Sequence, residues 1–270
     1  MSDALARLRE YFKDQLLVQV GKSMVPTALG ESLMPRVGDV LMQIQALTSS
    51  TTSFNPATST RKIRIMASDY AIRLLLGKVY NRVWQLAPNM QIEIVLLTSH
   101  FHEELHRRQL DMVIVPDIYV SDDEASELLF EDKYVCVACS ENRLLEKELT
   151  IDRYFQLGHV CVNLGEWRVP TYDAFYAKRL GERERKVEAA VPLFGMIFQL
   201  IPGTNRIATV QQRNVAAFAS KHTLRILEPP FEIPPFREHL LWLKCRDDDP
   251  AIAWFRSVTK FVAAELRPVP

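Results

Sequence analysis

Residues 61–116 read RKIRIMASDYAIRLLLGKVYNRVWQLAPNMQIEIVLLTSHFHEELHRRQLDMVIVP, and their hydrophobic period switches repeatedly between strand-like and helix-like. RKIRIMA, QIEIVLL and LDMVIVP are short runs rich in Ile, Val and Leu; Ala71 to Leu86, stopped by Pro88, and Phe101 to Gln109 carry apolar residues at helical spacing. Short β-rich runs joined by helical crossovers build a parallel sheet with helices packed on its faces. A second series begins near Gly158: HVCVNL, a helix from Thr171 to Leu180, KVEAAV, a helix from Leu193 to Ile201, RIATV, a helix from Asn214 to Ser220, and LRIL. HLLWLKC and a helix from Pro250 to Leu266 fall outside that series, so the chain is expected to return and complete the first layer. The expected α/β lobes are residues 61–157 with 237–270, and residues 158–236, with a cleft between them.

Upstream, Met1 to Asp14 reads as a helix already in progress, with Leu5, Leu8 and Phe12 at helical spacing and no capping residue to start it. LLVQVGKSMVPT then alternates around Gly21-Lys22, the pattern of two strands and a tight turn. Thr27 can cap a long helix whose Leu29, Leu33, Val37, Leu41, Ile44 and Leu47 form one apolar stripe. The polar run TSSTTSFNPATST follows, a hinge that isolates the stripe and leaves it to pair with a second copy of itself. The divisions are therefore 1–26, the helix 27–48 and the hinge 49–60.

Composition restricts the function. The 270 residues are 48 % hydrophobic and 24 % charged, with 33 basic side chains against 33 acidic, which excludes a disordered chain. No apolar run approaches the roughly 18–20 residues that span a bilayer. Four cysteines are too few for a disulfide scaffold, and MSDALARLREYFKDQ lacks the pattern of a secretory signal, so a cytoplasmic protein is expected. No glycine-rich phosphate loop is present, and no cofactor is implied. Zero net charge weighs against a strongly basic nucleic-acid binder.

Two motifs suggest metal chemistry. His102-Glu103-Glu104-Leu105-His106 satisfies H-E-x-x-H, which puts two imidazoles on one helical face with Glu103 as a possible base, as in a zinc hydrolase. Its helix is short and no third ligand follows on a neighbouring helix, so a solvated helix face is the expectation, with no metal. Cys136 and Cys139 form C-x-x-C within YVCVACS, but an i, i+3 pair on a strand points to opposite faces, so both should be small buried residues.

The run MSDALARLREYFKDQLLVQVGKSMVPTALGESL resembles the end of the recognition helix, the wing and the start of the linker helix of LysR-type transcriptional regulators, at Ser2, Leu5, Leu8, Leu16, Leu17, Lys22, Pro26, Thr27 and Gly30. APNMQIEIVLL, RRQLDMVIVP, ELLFEDKYVCVAC and LEPPFEIP match in order as well, most like the nodulation-activator branch, whose relatives include regulators of aromatic breakdown. The resemblance covers essentially the whole chain. It implies a partial winged helix-turn-helix over 1–26, a dimerising linker helix and a periplasmic-binding-protein-like effector domain. In the family, two helices and the first turn of the recognition helix precede the position of Met1. Either translation starts further upstream, or a truncated product dimerises and senses without DNA affinity.

The resemblance implies an activator that binds promoter DNA, a small aromatic co-inducer and RNA polymerase, and that assembles as a homodimer or homotetramer. Ser2 and Asp3 on the helix and Lys22 with Ser23 in the wing would face DNA, a wing lysine pairing with phosphate. In open α/β sheets ligands sit beyond the carboxyl ends of strands, where helix N-termini present free N–H groups. Three such junctions occur: Ser68-Asp69-Tyr70, Thr98-Ser99-His100, and Pro192-Leu193-Phe194 followed by Met196. By resemblance they line the co-inducer cleft, and the plain alternative for each is helix capping or core packing. Asp69 already places a carboxylate at a helix start and would repel an acid, so the expected effector is a phenol, quinol or other hydroxylated aromatic rather than a dicarboxylate.

Overall fold

The computed structural model describes residues 2–21, 23–49, 54–145, 148–163, 183–216, 218 and 223–266. It divides into two compact units, Met1–Ser53 and Phe54–Pro270. The expected helix from Thr171 to Leu180, Lys22 and residues 50–53 of the hinge lie outside the described residues.

In the first unit, helix α1 (Ser2–Phe12) leads into the hairpin of β1 (Leu17–Val20) and β2 (Ser23–Pro26), followed by helix α2 (Ala28–Ser49). The strands pair antiparallel, Leu17 opposite Pro26 and Val20 opposite Ser23, and Gly21 takes φ +64° at the turn. Thr27 caps α2: its Oγ1 accepts the Gly30 N–H at 3.1 Å and donates to Asp14 Oδ1 at 2.6 Å. The same Asp14 oxygen accepts the Leu16 N–H at 2.6 Å, and these bonds hold its carboxyl below the ordinary range. A Cβ at Gly30 would collide with the carbonyl oxygen of Leu16, so the Pro26-Thr27-x-x-Gly30 motif is a cap plus the one side chain small enough to dock α2 on the hairpin. Along α2, Leu29 and Leu33 are half-buried while Val37 is 54 % exposed.

Among the described residues the second unit holds two five-stranded sheets. Strand β3 (Lys62–Ala67) pairs parallel with β4 (Gln91–Leu96) and β5 (Met112–Pro116). Strand β12 (Phe236–Leu243) returns antiparallel between β5 and β6 (Glu124–Asp132). In the other sheet β8 (Gly158–Val162) runs parallel to β9 (Lys186–Val191) and β10 (Ile207–Gln211). Strands β7 (Tyr134–Cys139) and β11 (Leu224–Leu227) complete it antiparallel, in the order β11-β7-β10-β8-β9.

The first lobe boundary differs from the sequence expectation. Tyr134–Cys139 was placed in the lobe over 61–157, but it pairs in the second sheet, so the crossing falls at Lys133 rather than near 157. In ELLFEDKYVCVAC only Lys133 separates two strands that belong to different sheets. Residues 54–60, assigned to the hinge, are partly docked: Phe54 meets Trp254 with ring centroids 5.8 Å apart, and Asn55 accepts the Ala57 N–H at 3.0 Å to start a 3₁₀ turn.

Each sheet is packed on both faces. Ile63, Ile65 and Ala67 of β3 face one core, with Leu75, Val79 and Phe255, while Met66 faces another with Phe101, Leu105 and Leu241. Phe255 lies on helix α9 (Pro250–Ala264), whose first turn is capped by Asp249 Oδ1, accepting from Ala251 N at 3.1 Å. In the second sheet Cys139 joins Val135 and Val137 in one core and Cys136 joins Ala138 and Tyr154 in the other. The two thiols are free, buried and on opposite faces, and burial pushes the Cys136 thiol up to about 12.

Candidate effector site

The strand β3 ends at Ala67 and the chain turns into a helical segment made of α3 (Asp69–Ala71), a π-helical turn (Ile72–Leu76) and α4 (Gly77–Leu86). The expected single helix from Ala71 is thus widened in its first turns, where Gly77 N–H reaches the carbonyl of Ile72. Ser68 caps it, its Oγ accepting the Ala71 N–H at 3.2 Å.

Asp69 stands at the start of its own helix and also acts across the cleft. Its Oδ1 accepts the Phe194 N–H and its Oδ2 the Gly195 N–H, both at 2.9 Å. These are the first residues of helix α7 (Phe194–Leu200) in the other lobe, which has no side-chain cap of its own. Arg73, in the π-helical turn, lies 3.4 Å from Asp69 Oδ2, donates to Asn214 Oδ1 at 2.8 Å and stands 4.6 Å above the Phe218 ring. A carboxylate from one lobe therefore caps a helix of the other, and a guanidinium spans the same junction.

Beside it, Tyr70 donates to Asp132 Oδ2 at 2.6 Å; the same carboxylate accepts the backbone N–H of Lys133 at 2.8 Å and of Arg213 at 3.1 Å. Burial raises the Asp132 carboxyl above its ordinary value despite these donors. Burial, reinforced by Asp132, also holds the Tyr70 phenol well above its usual range, so the hydroxyl remains a donor.

The carboxyl ends of β3 and β4 contribute Ser68, Asp69, Leu96, Leu97, Thr98 and Ser99 to a cavity of about 200 Å³. The ends of β8 and β9 close it from the other lobe with Asn163, Pro192 and Leu193. Of the nine expected effector residues, Ser68, Asp69, Thr98, Ser99 and Pro192 line this cavity. The other four are outside its lining. Tyr70 is buried with its ring against Phe130, Phe194 and Phe236. Phe194 packs on both lobe cores and Met196 on that of the second lobe. His100 is exposed ahead of helix α5 (Phe101–His106).

Leu96, Leu97 and Asn163 are lining residues that sequence reasoning missed, and Asn163 is the polar one. Its signal was available, since it follows a parallel strand as Ser68, Thr98 and Pro192 do.

H-E-x-x-H occupies α5, which ends at His106 rather than Gln109 because Arg108 takes φ +58°. The structure adds a group that the sequence did not suggest, on a strand instead of a helix. Glu124, at the start of β6 and with its side chain only 1 % exposed, offers one Oε1 to His102 Nδ1 and His106 Nε2, each at 2.9 Å. Its other oxygen accepts from Ser121, and these bonds, working against burial, keep the carboxyl below its ordinary range. The histidines thus seat a carboxylate; among the described residues no group of three His, Cys, Asp or Glu is arranged to hold a metal ion.

The expected DNA-facing residues belong to the first unit: Ser2 and Asp3 lie on α1, and Ser23 is exposed at the start of β2. No helix among the described residues is long and apolar enough to cross a membrane.

Comparison with known proteins agrees with this architecture. Residues 57–262 match the LysR substrate binding domain. The chain is 40 % identical over 258 residues to Nodulation protein D 2 of Rhizobium tropici, covering 96 % of this chain and 82 % of that protein. It is 36 % identical over 266 residues to Nodulation protein D 1 of the same organism, covering 98 % and 86 %. Among solved structures, a probable transcriptional regulator, PA0477, from Pseudomonas aeruginosa superposes with a TM-score of 0.73 at 26 % identity, covering 97 % of this chain and 86 % of that one. These relatives are regulators rather than enzymes, which removes the hydrolase reading of H-E-x-x-H. Two α/β lobes with a cavity at their facing strand ends, a family match over most of the chain and these relatives place this chain among the LysR-type transcriptional regulators.

Proposed function

We propose that the chain is a DNA-binding transcriptional activator whose co-inducer is an uncharged aromatic bearing hydroxyl groups, bound in the cavity between the two lobes. The observation that carries this reading is the Asp69 carboxylate on the N–H groups of Phe194 and Gly195. In an open α/β site those groups would greet a ligand's carboxylate. Here the protein's own carboxylate takes them, and a second anion beside it is repelled. Leu96, Leu97, Pro192 and Leu193 supply apolar surface for a ring, and about 200 Å³ suits one or two rings rather than a larger ligand.

Ser68, Asp69, Thr98, Ser99 and Pro192 are the effector contacts in this reading. Tyr70, His100, Phe194 and Met196 act through the turns they belong to. A ligand that binds one arrangement of the lobes better than another shifts the population toward it, and no other property of the ligand can do so. That shift reaches promoter DNA through α2, which pairs with a second copy; dimers of this kind associate further into a tetramer and engage RNA polymerase. Lys22 and Ser23 meet phosphate at the wing, with Ser2 and Asp3 on α1 nearest the bases.

Calorimetric titration of the chain with simple phenols and with muconate-like diacids tests the ligand class. Heat of binding with phenols and none with the diacids is expected; tight diacid binding with no phenol binding overturns it.

A further inference from the structure

We propose that Asn163 reads the ligand, its side-chain carbonyl accepting a hydrogen bond from a ligand hydroxyl, so that the site requires a donor on the ring and rejects the corresponding ether. The inference rests on the aromatic reading of the cavity given above and deepens it.

Three of the polar side chains around the cavity, those of Ser68, Asp69 and Thr98, are already hydrogen-bonded. Ser68 Oγ accepts the Ala71 N–H, the two Asp69 oxygens accept the Phe194 and Gly195 N–H groups, and Thr98 Oγ1 donates to Glu104 Oε1 at 3.2 Å. Asn163 differs. Its backbone N–H is tied to the Val191 carbonyl at 2.8 Å, which fixes the residue where β8 and β9 end, yet its Oδ1 is shielded from water and has no hydrogen-bond partner among the described residues. A buried acceptor without a donor is uncommon in folded proteins and marks a place where water or a ligand completes the structure. The carboxamide torsion is broad and nothing bonded to Oδ1 holds it, so it can turn to a donor entering the cavity. An ether placed on the same ring brings no donor and seals the acceptor away from water, which is the costly half of hydrogen-bond energetics.

The test uses the full chain and a matched pair of probes, 2-naphthol and 2-methoxynaphthalene, titrated by calorimetry or by NMR. The unmodified chain should bind the naphthol roughly ten- to a hundred-fold more tightly than the ether. Asn163→Leu should abolish that preference, bringing the two dissociation constants together, while Asn163→Asp, which keeps an acceptor, should retain it. The readout is a ratio, so a general loss of affinity in a variant does not imitate the effect; if Asn163→Leu does not fold, the ratio in the unmodified chain and in Asn163→Asp decides. Equal binding of both probes, or a preference unchanged in Asn163→Leu, overturns the role of Asn163 and leaves the aromatic site standing. Binding of neither probe to the unmodified chain overturns the aromatic site and the role of Asn163 with it.

Discussion

The carboxylate of Asp69, two residues beyond the end of a strand in one lobe, accepts the backbone N–H of Gly195 in the other lobe at 2.9 Å. Together with its bond to Phe194 it satisfies two donors that α7 would otherwise leave open. Gly195 is small for a reason: a Cβ there would stand 3.3 Å from the Phe218 ring, tightening the same junction.

Removing this cap should weaken the attachment between the lobes. Asp69→Ala deletes two charge-assisted hydrogen bonds and leaves Arg73 without its carboxylate, which should cost about 2 kcal/mol. For a domain of this size that is a drop of roughly 4–8 °C in melting temperature. Calorimetric unfolding of the two chains reads it directly; an unchanged midpoint would mean the bond contributes nothing net.

The cap-and-glycine motif of the first unit makes a separate prediction. Gly30→Ala forces a methyl group onto the Leu16 carbonyl, which also accepts the Thr27 N–H at 3.0 Å. The helix must lift from the hairpin at a cost of about 1–3 kcal/mol. Faster amide exchange at Thr27 and along β1 and β2, with the second unit unaffected, is the expected signature.

His159 predicts a pH dependence of stability. Its Nε2–H donates to the Tyr154 carbonyl at 2.7 Å, Nδ1 has no partner among the described residues, and burial lowers its pKa from 6.5 to about 4. Between those values the unfolded chain binds a proton that the folded chain refuses, so stability falls as pH falls. The slope is roughly 1.4 kcal/mol per unit, or about 3 kcal/mol across the window, and above pH 6.5 the group has no effect. Urea unfolding at pH 7 and pH 5 should show this component in the natural chain and lack it in His159→Gln.

Association through α2 should be sensitive to charge at Val37. Val37 is 54 % exposed, so Val37→Asp is expected to leave the fold of the single chain intact. Across a helix pair it buries an unpaired carboxylate, which is strongly unfavourable. Sedimentation should show the mass falling toward one chain, and an unchanged mass would place the dimer contact elsewhere.

Much of this was legible in the residues. The alternation of RKIRIMA, a helix, QIEIVLL, a helix and LDMVIVP is a local property of period and β-branching, and the strands formed where the pattern put them. Thr27 as a cap and Cys136 and Cys139 on opposite faces of one strand are likewise consequences of neighbours in sequence. Ser68, Thr98 and Pro192 could be picked out because the ends of parallel strands are where ligands sit, whatever the family.

Tertiary structure alone decided the rest. Nothing in ELLFEDKYVCVAC says that the chain changes sheets at Lys133, because the choice of partner strand is made by residues far away in sequence. Asp69 looks like part of its own helix start until Phe194 and Gly195, more than a hundred residues later, arrive to use its oxygens. Tyr70, beside it, gives no local sign that Asp132 will accept its hydroxyl proton. Local propensity and periodicity determine which elements form, since they depend on residues a few positions apart. Which side chain meets which across a cleft is settled by how the two sheets pack, and that lies beyond the reach of any local pattern.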